Sequence, residues 1–259
     1  MKRIVSILSC ALLLSTAVSC DWFELDNQEG WNAKVQGKII DVKTGQPVQS
    51  EQGNSIVIVE KGWDAEANQT WRIKNDGTYR NDLVFAGEYR MNTVSSANFI
   101  ADPVDFTLQK GDNTVDFKVT PFCRIVNPTV TFDSAAKKIK ASFKIETDLP
   151  EVNNIGNVYL CVYPDRFVRQ GYNNCREDDG AKLSDVDPTK GETITLEVDM
   201  NNPKNAEEFQ YDRPHFIRIA AIGGHYTGGK LDNTFNQGYY NYSPVYRLEN
   251  GVVTEVTDW

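Results

Sequence analysis

The chain has 259 residues, with 27 Lys and Arg against 36 Asp and Glu, a net charge of −9 and only two histidines. This acidic balance argues against nucleic acid, a polyanion held through clustered Lys and Arg, and two histidines leave little from which to build a histidine-rich metal site. No apolar stretch reaches the ~20 residues of a membrane-spanning helix. At the N-terminus, Lys2 and Arg3 precede a short apolar run, Ile4 to Leu14, and the small residues Ala17 and Ser19 stand just before Cys20. This order of basic head, apolar stretch and small residues is that of a secretory signal spanning residues 1–19. Its loss leaves Cys20–Trp259 and takes the charge to −11, because the leader carries two basic residues and no acidic ones.

The segment "AVSC" (17–20) resembles the lipobox of bacterial lipoproteins, with Ala17 in place of the common Leu. The resemblance implies acylation of the Cys20 thiol, cleavage before it, and attachment to a membrane through the lipid anchor alone, each buried methylene contributing about 0.8 kcal/mol. Asp21, Glu24 and Asp26 follow; such acidic stretches resemble signals that send lipoproteins to the outer face of an outer membrane, although polar tethers are common in any case. Residues 20–32 are then a tether. Of five cysteines, Cys10 leaves with the leader and Cys20 is the lipidation site, so Cys123, Cys161 and Cys175 remain. One disulfide can form among them, its pairing left open, and none has the C-x-x-C spacing of a zinc site.

Beyond the tether the chain reads as strands. "AKVQGKIIDV" (33–42), "NSIVIVEKG" (54–62), "QTWRIK" (69–74) and "GEYRMNTVS" (87–95) are rich in β-branched and aromatic residues and are separated by Gly, Asn, Asp and Pro. "KTGQPV" (43–48) is a turn in which Gly45 can take a positive φ, and Asp76-Gly77 is a hairpin candidate. "DFTLQKGDNTVDFKV" (105–119) reads as strand, Gly-Asp-Asn turn, strand. Two prolines in "TPFCRIVNPT" (120–129) interrupt pairing and set a boundary. The pattern restarts with "VTFDSAAKKIKASFKIETD" (130–148) and continues through "NVYLCVYPD" (157–165), "TITLEVDM" (193–200), "HFIRIAAIGG" (215–224) and "SPVYRLENG" (243–251). In "NVYLCVY", Cys161 reads as a buried strand residue, whereas Cys175 reads as part of a polar loop.

Val35, Gly37, Ile39, Asp41, Thr44, Gly45, Pro47 and Val48, followed by Gly77, Tyr79, Gly87 and Tyr89, resemble the carboxypeptidase-regulatory or prealbumin-like β-sandwich. "FIRIAAIG" (216–223) is similar to the penultimate strand of an immunoglobulin-like or fibronectin type III-like sandwich, the latter preferred because the Trp and disulfide of antibody domains are missing. The expected fold is therefore all-β, two consecutive β-sandwich domains at 33–121 and 122–259. As a whole the chain resembles an uncharacterised family of two-domain surface lipoproteins of glycan-utilisation loci. That resemblance implies capture of a polysaccharide or oligosaccharide, or support of an outer-membrane transporter and its lid lipoprotein, and gives no binding residues.

A sugar site combines flat aromatic area with a few placed polar groups. Two loops offer this: Trp63 and Asp64 in "KGWDAEANQTW" (61–71), and Tyr226, Asp232, Asn236, Tyr239 and Tyr240 in "GHYTGGKLDNTFNQGYYNY" (224–242). Aromatics at strand ends also serve as core plugs, the reading preferred for Trp71 and Tyr242. Glu177, Asp178 and Asp179 are acids adjacent in a polar loop, solvated or able to bind a cation, and "DVDPTKGE" (185–192) matches a calcium loop only partly, since Gly191 comes one position late. No G-x-S-x-G elbow and no H-E-x-x-H occurs. The expectation is a non-catalytic glycan-binding protein with no cofactor and no metal; the rival is a structural or adhesive spacer that binds another protein, and a glycoside hydrolase would need a facing carboxylate pair.

Overall fold

The computed structural model describes residues 30–63, 66–92, 97–223, 225–227, 230–232 and 239–259, with the strand assignment alone for 225–227 and 230–232. The leader, Cys20, Asp64 and Asn236 lie outside the described residues. No α-helix occurs among those described, only 3-10 turns at Asp179–Ala181 and Pro203–Asn205. None of their helical segments is long and apolar enough to cross a membrane.

The first nine strands are β1 (Ala33–Asp41), β2 (Ser55–Glu60), β3 (Asn68–Arg72), β4 (Thr78–Val84), β5 (Gly87–Met91), β6 (Phe99–Ile100), β7 (Val104–Leu108), β8 (Gly111–Thr114) and β9 (Phe117–Pro121). They form two sheets, β4-β1-β9-β6 with β8 also beside β1, and β3-β2-β5-β7. In β1, buried and outward residues alternate from Ala33 to Asp41, as a half-buried strand requires. Its inward face packs with Ile56, Ile58, Trp71, Tyr79, Tyr89, Phe117 and others into one aromatic-rich core between the sheets. Gly37 is dictated by the closeness of this packing: a Cβ there would lie 1.7 Å from the Val115 carbonyl oxygen, which already accepts the Tyr79 hydroxyl at 2.6 Å.

Two turn expectations change. Gly111-Asp112-Asn113 is strand β8, aligned in parallel with Ala33 to Gln36, rather than a turn; Asn113 Nδ2 donates to the Lys34, Gln109 and Gly111 carbonyls, which holds this polar segment at the sheet edge. Asp76-Gly77 does turn the chain, with Gly77 at φ +78°, but β3 and β4 belong to different sheets, so the turn switches sheets and leaves one bridge, Ile73 to Tyr79. Gly45 has the expected positive φ, +69°.

The remaining strands are β10 (Arg124–Asp133), β11 (Lys138–Glu146), β12 (Ile155–Tyr163), β13 (Lys182–Val186), β14 (Ile194–Asp199), β15 (His215–Ile222), β16 (His225–Thr227), β17 (Lys230–Asp232), β18 (Asn241–Tyr242), β19 (Tyr246–Glu249) and β20 (Val252–Glu255). The sheet β10-β11-β14 faces the sheet β13-β12-β15-β19-β20, with β18 beside β15. Ile139, Phe143, Leu196, Val158, Leu160 and Ile219 meet between them. Pro128 lies inside β10, at a register shift between Val126 and Thr129, with Asn127 at φ +49°. The proline is accommodated because the bulge removes the ladder bond it could not make. Cys123, Cys161 and Cys175 are all buried free thiols; burial pushes the Cys123 thiol up to about 12. Cys175 is core rather than loop surface because the preceding Asn173 turns the chain inward, its Oδ1 accepting the Val162 and Cys175 N–H groups.

No strand before Pro121 pairs with one after Arg124 among the described residues, yet the two sandwiches are joined by buried polar contacts. Arg124 donates to both oxygens of Asp41 at 2.5 and 2.6 Å, and its Nη1 stands 2.6 Å from Asp148. Burial opposes ionisation of Asp41, but Arg124, the Lys43 N–H and Thr44 outweigh it and hold the carboxyl below its ordinary range. Asn98 and Asn241 cross-link the backbones, Asn98 Nδ2 donating to the Tyr240 carbonyl and Asn241 Nδ2 to that of Asn98.

Candidate functional site

The period of two in β12 and β15 builds the site. Val158, Leu160 and Val162 face the inner core, so Tyr159, Cys161 and Tyr163 point to the opposite face; on β15, Phe216, Arg218 and Ala220 do the same. Tyr240 and Tyr242 add to this outer face, with ring centroids 6.3 Å apart and Tyr240 6.2 Å from Tyr159. The loop after β12 then folds back along its edge. Val168 plugs it into the outer cluster, reciprocal backbone bonds join Arg169 and Tyr172, and the Tyr172 ring stacks against Tyr163 at 5.7 Å.

This loop closes one wall of a groove of about 740 Å³. Its aromatic wall is Phe167, Tyr172 and Trp259, and its other wall comes from the first sandwich, including Gln52, Arg72, Lys74 and Asn75. Phe167 and Tyr172 remain 41% and 42% exposed, so apolar ring area faces solvent beside hydrogen-bonding groups. The arginines are set by what they touch. Arg169 lies 4.2 Å over the Tyr172 ring and donates to Glu51 at 3.1 Å. Arg166 lies within 6 Å of the Phe167 and Trp259 rings and donates to the Asp258 carbonyl at 2.9 Å, which ties down the C-terminal segment.

Beneath the groove, Arg218 is fully buried. Its Nη1 and Nη2 donate to the Ser50 and Asn75 carbonyls at 2.7 and 3.0 Å, its Nε to that of Ser243 at 2.9 Å, and its guanidinium lies 4.3 Å over Tyr242. Burial pushes it down to about 10, so it stays charged at neutral pH. The Tyr242 hydroxyl donates to Glu51 at 2.9 Å; burial, reinforced by the Glu51 charge, raises it well above the ordinary tyrosine range and keeps it a donor. The groove wall from the first sandwich is thus fixed on the second by Arg218, Tyr242 and Arg169.

The loop residues expected from sequence fall elsewhere. Trp63 is 47% exposed at the bend after β2, and Tyr239 and Tyr240 are half-buried; none of the three lines the groove. Tyr240 belongs to the aromatic face, its hydroxyl raised by burial and by neighbouring Tyr159. Tyr226 and Asp232 stand on the paired strands β16 and β17, their side chains outside the described residues, as are Asp64 and Asn236. Trp71 and Tyr242 are buried, at 3% and 5%. Sequence reasoning missed Phe167, Tyr172 and Trp259. The available signal was "DRFVRQGY" (165–172), a loop interleaving two arginines with two aromatics directly after the alternating "YLCVY".

The acids at 177–179 are largely absorbed by the fold. Asp178 Oδ1 accepts the Gly180 N–H, its Oδ2 accepts from Asp199 N and Asn205 Nδ2, and Asp179 pairs with Lys182 at 3.4 Å. In "DVDPTKGE", Asp187 caps its own turn through the Thr189 N–H and hydroxyl. Glu208 is buried and accepts from Asn174 at 2.5 Å, with Arg213 and His215 beside it; burial pushes its carboxyl up despite these partners. Among the described residues no three His, Cys, Asp or Glu side chains gather as a metal set.

Fold and groove together define an all-β protein with a preformed aromatic and polar cleft. Residues 33–120 match the family described as Protein of unknown function (DUF3823) N-terminal domain. The chain is similar over 88% of its length to the whole of a protein from Bacteroides uniformis described as a "putative carbohydrate binding protein", with 29% identity and a TM-score of 0.71. DUF3823 family proteins from Parabacteroides merdae and Bacteroides ovatus share the fold: the first has 22% identity and TM-score 0.67 over 85% of this chain and 100% of its own, the second 19% and 0.63 over 83% and 97%. No curated protein matches in sequence.

Proposed function

We propose that this chain is a non-catalytic glycan-binding protein, a lipoprotein anchored through Cys20 at the outer face of an outer membrane, where its two sandwich domains, 33–121 and 122–259, present a saccharide to a glycan-uptake transporter and its lid lipoprotein. The groove between the sandwiches carries the reading. Its volume is of the size that holds a small oligosaccharide, its exposed Phe167 and Tyr172 rings and half-buried Trp259 suit the C–H faces of sugars, and Gln52, Asn75 and the arginines suit hydroxyls. The description of the Bacteroides uniformis neighbour supports the same class of ligand. The non-catalytic reading is supported by Asp178, Asp179 and Asp187, which serve as turn caps and ion-pair partners.

Affinity electrophoresis of the Asp21–Trp259 fragment through gels containing plant, host and microbial polysaccharides tests this. Retardation by at least one polysaccharide is expected, lost in Tyr172→Ala and in Trp259→Ala and kept in Trp63→Ala. Loss in Trp63→Ala alone would move the site to the β2–β3 loop. Free migration throughout would overturn glycan binding and leave the spacer that docks another protein.

A further inference from the structure

The charge of the groove runs against that of the chain. Arg72, Lys74, Arg166 and Arg169 line it and, among the described residues, no Asp or Glu does, although acidic residues outnumber basic ones by nine overall. Arg72 and Lys74 are exposed residues two apart, at the end of β3 and just beyond it, and so project to the same side. Arg72 donates to the Gly53 carbonyl at 2.8 Å and Arg166 to that of Asp258; these neutral partners orient the guanidinium groups without cancelling their charge. Among the described residues neither of them nor Lys74 makes an ion pair, and of the four only Arg169 meets a carboxylate, Glu51.

Three cations without a carboxylate partner beside the aromatic rings are more than a neutral sugar needs, since hydroxyls are answered equally well by amides at a smaller desolvation cost. They match a saccharide carrying carboxylate or sulfate groups, which guanidinium forks bind through paired, charge-assisted hydrogen bonds. Resting on the glycan-binding reading, we infer that the ligand of this groove is an anionic glycan, with Arg72, Lys74 and Arg166 meeting its acidic groups while Phe167 and Trp259 pack on its sugar rings.

The test compares the Asp21–Trp259 fragment, by affinity electrophoresis and calorimetry, on polygalacturonate, carboxyl-reduced polygalacturonate, chondroitin sulfate, neutral pullulan and single-stranded DNA. Binding to polygalacturonate or to chondroitin sulfate is expected, the two arms separating carboxylate from sulfate recognition, with no binding to the reduced polymer or to pullulan. The affinity should fall at least about tenfold as salt rises from about 0.05 to about 0.5 M, because screening shortens the reach of exposed charges. Arg72→Gln with Lys74→Gln, both at exposed positions, should cost a further tenfold or so, two charge-assisted contacts being removed, while Lys118→Gln on a remote strand changes nothing. Binding of neutral polymers that the double variant leaves intact would overturn the anionic assignment and keep the glycan-binding reading. Binding of DNA comparable to that of the acidic glycans would overturn saccharide recognition, and no binding of any polymer would overturn both.

Discussion

Arg218 shows how one side chain fixes the geometry of the cleft. Its buried guanidinium is held by three backbone carbonyls, two of them from the other sandwich, and among the described residues it has no carboxylate partner. Arg218→Ala would leave those carbonyls unpaired and open a cavity under Tyr242, at an expected cost of about 3–5 kcal/mol, read as a drop in the denaturation midpoint. Arg166→Gln, at an exposed position, should leave that midpoint within about 0.5 kcal/mol. Little of this was legible in the sequence. "FIRIAAIG" shows an arginine in an apolar strand, but its role depends on loops 143 and 168 residues away in the chain. The same holds for the groove: Tyr172 and Trp259 are brought together by folding alone, whereas the two loops chosen for their local aromatic density contribute nothing described to its lining.

Strands were the most legible feature, because alternation is local. β1, β5, β11, β12, β14 and β15 fall where apolar residues recur at every second position, and β2 on a continuous β-branched run, Ile56 to Val59. The short or polar strands β8, β13 and β18 were not legible, since their pairing is decided by the neighbouring strand rather than by their own side chains. β8 is the clearest case, a Gly-Asp-Asn segment with turn chemistry drawn into a parallel ladder with β1. At the same point on β1, Gly37→Ala would force a Cβ into the Val115 carbonyl and part β1 from the β8–β9 connection. An overlap with backbone cannot be relieved by a rotamer change, so a loss above about 3 kcal/mol is expected, seen as loss of the cooperative transition in circular dichroism. A conservative change at exposed Lys38 should leave the transition in place.

At the scale of the whole molecule, the cleft exists because the sandwiches are held together. Asp41 and Arg124 are each buried, and removing either partner leaves a charge without its answer, at about 3–5 kcal/mol. The folded-state pKa of Asp41 is lowered, so its contribution is fully present above the ordinary carboxylate value near 3.9 and is lost as pH falls through the lower folded value; Asp148, held down by Lys43 and Arg124 against the opposing effect of burial, acts in the same direction. Melting temperature should therefore fall as pH drops below about 4. Asp41→Asn should melt lower at neutral pH and lose less on acidification; an unchanged acid slope would show that the pair does not control acid stability. The sequence offered a boundary near residue 121 and two β-sandwiches, while the buried contacts that join them lay beyond any local pattern.

The central claim is that a saccharide occupies the groove between the two sandwiches. Hydrogen exchange of the Asp21–Trp259 fragment with and without a retarding oligosaccharide tests it most directly, because protection is mapped along the whole chain at once. The account predicts slowed exchange at 52–54, 72–75, 166–172 and the C-terminal segment, with 61–63 unchanged. Protection confined to the β2–β3 loop or to the outer edge of the first sandwich would contradict it.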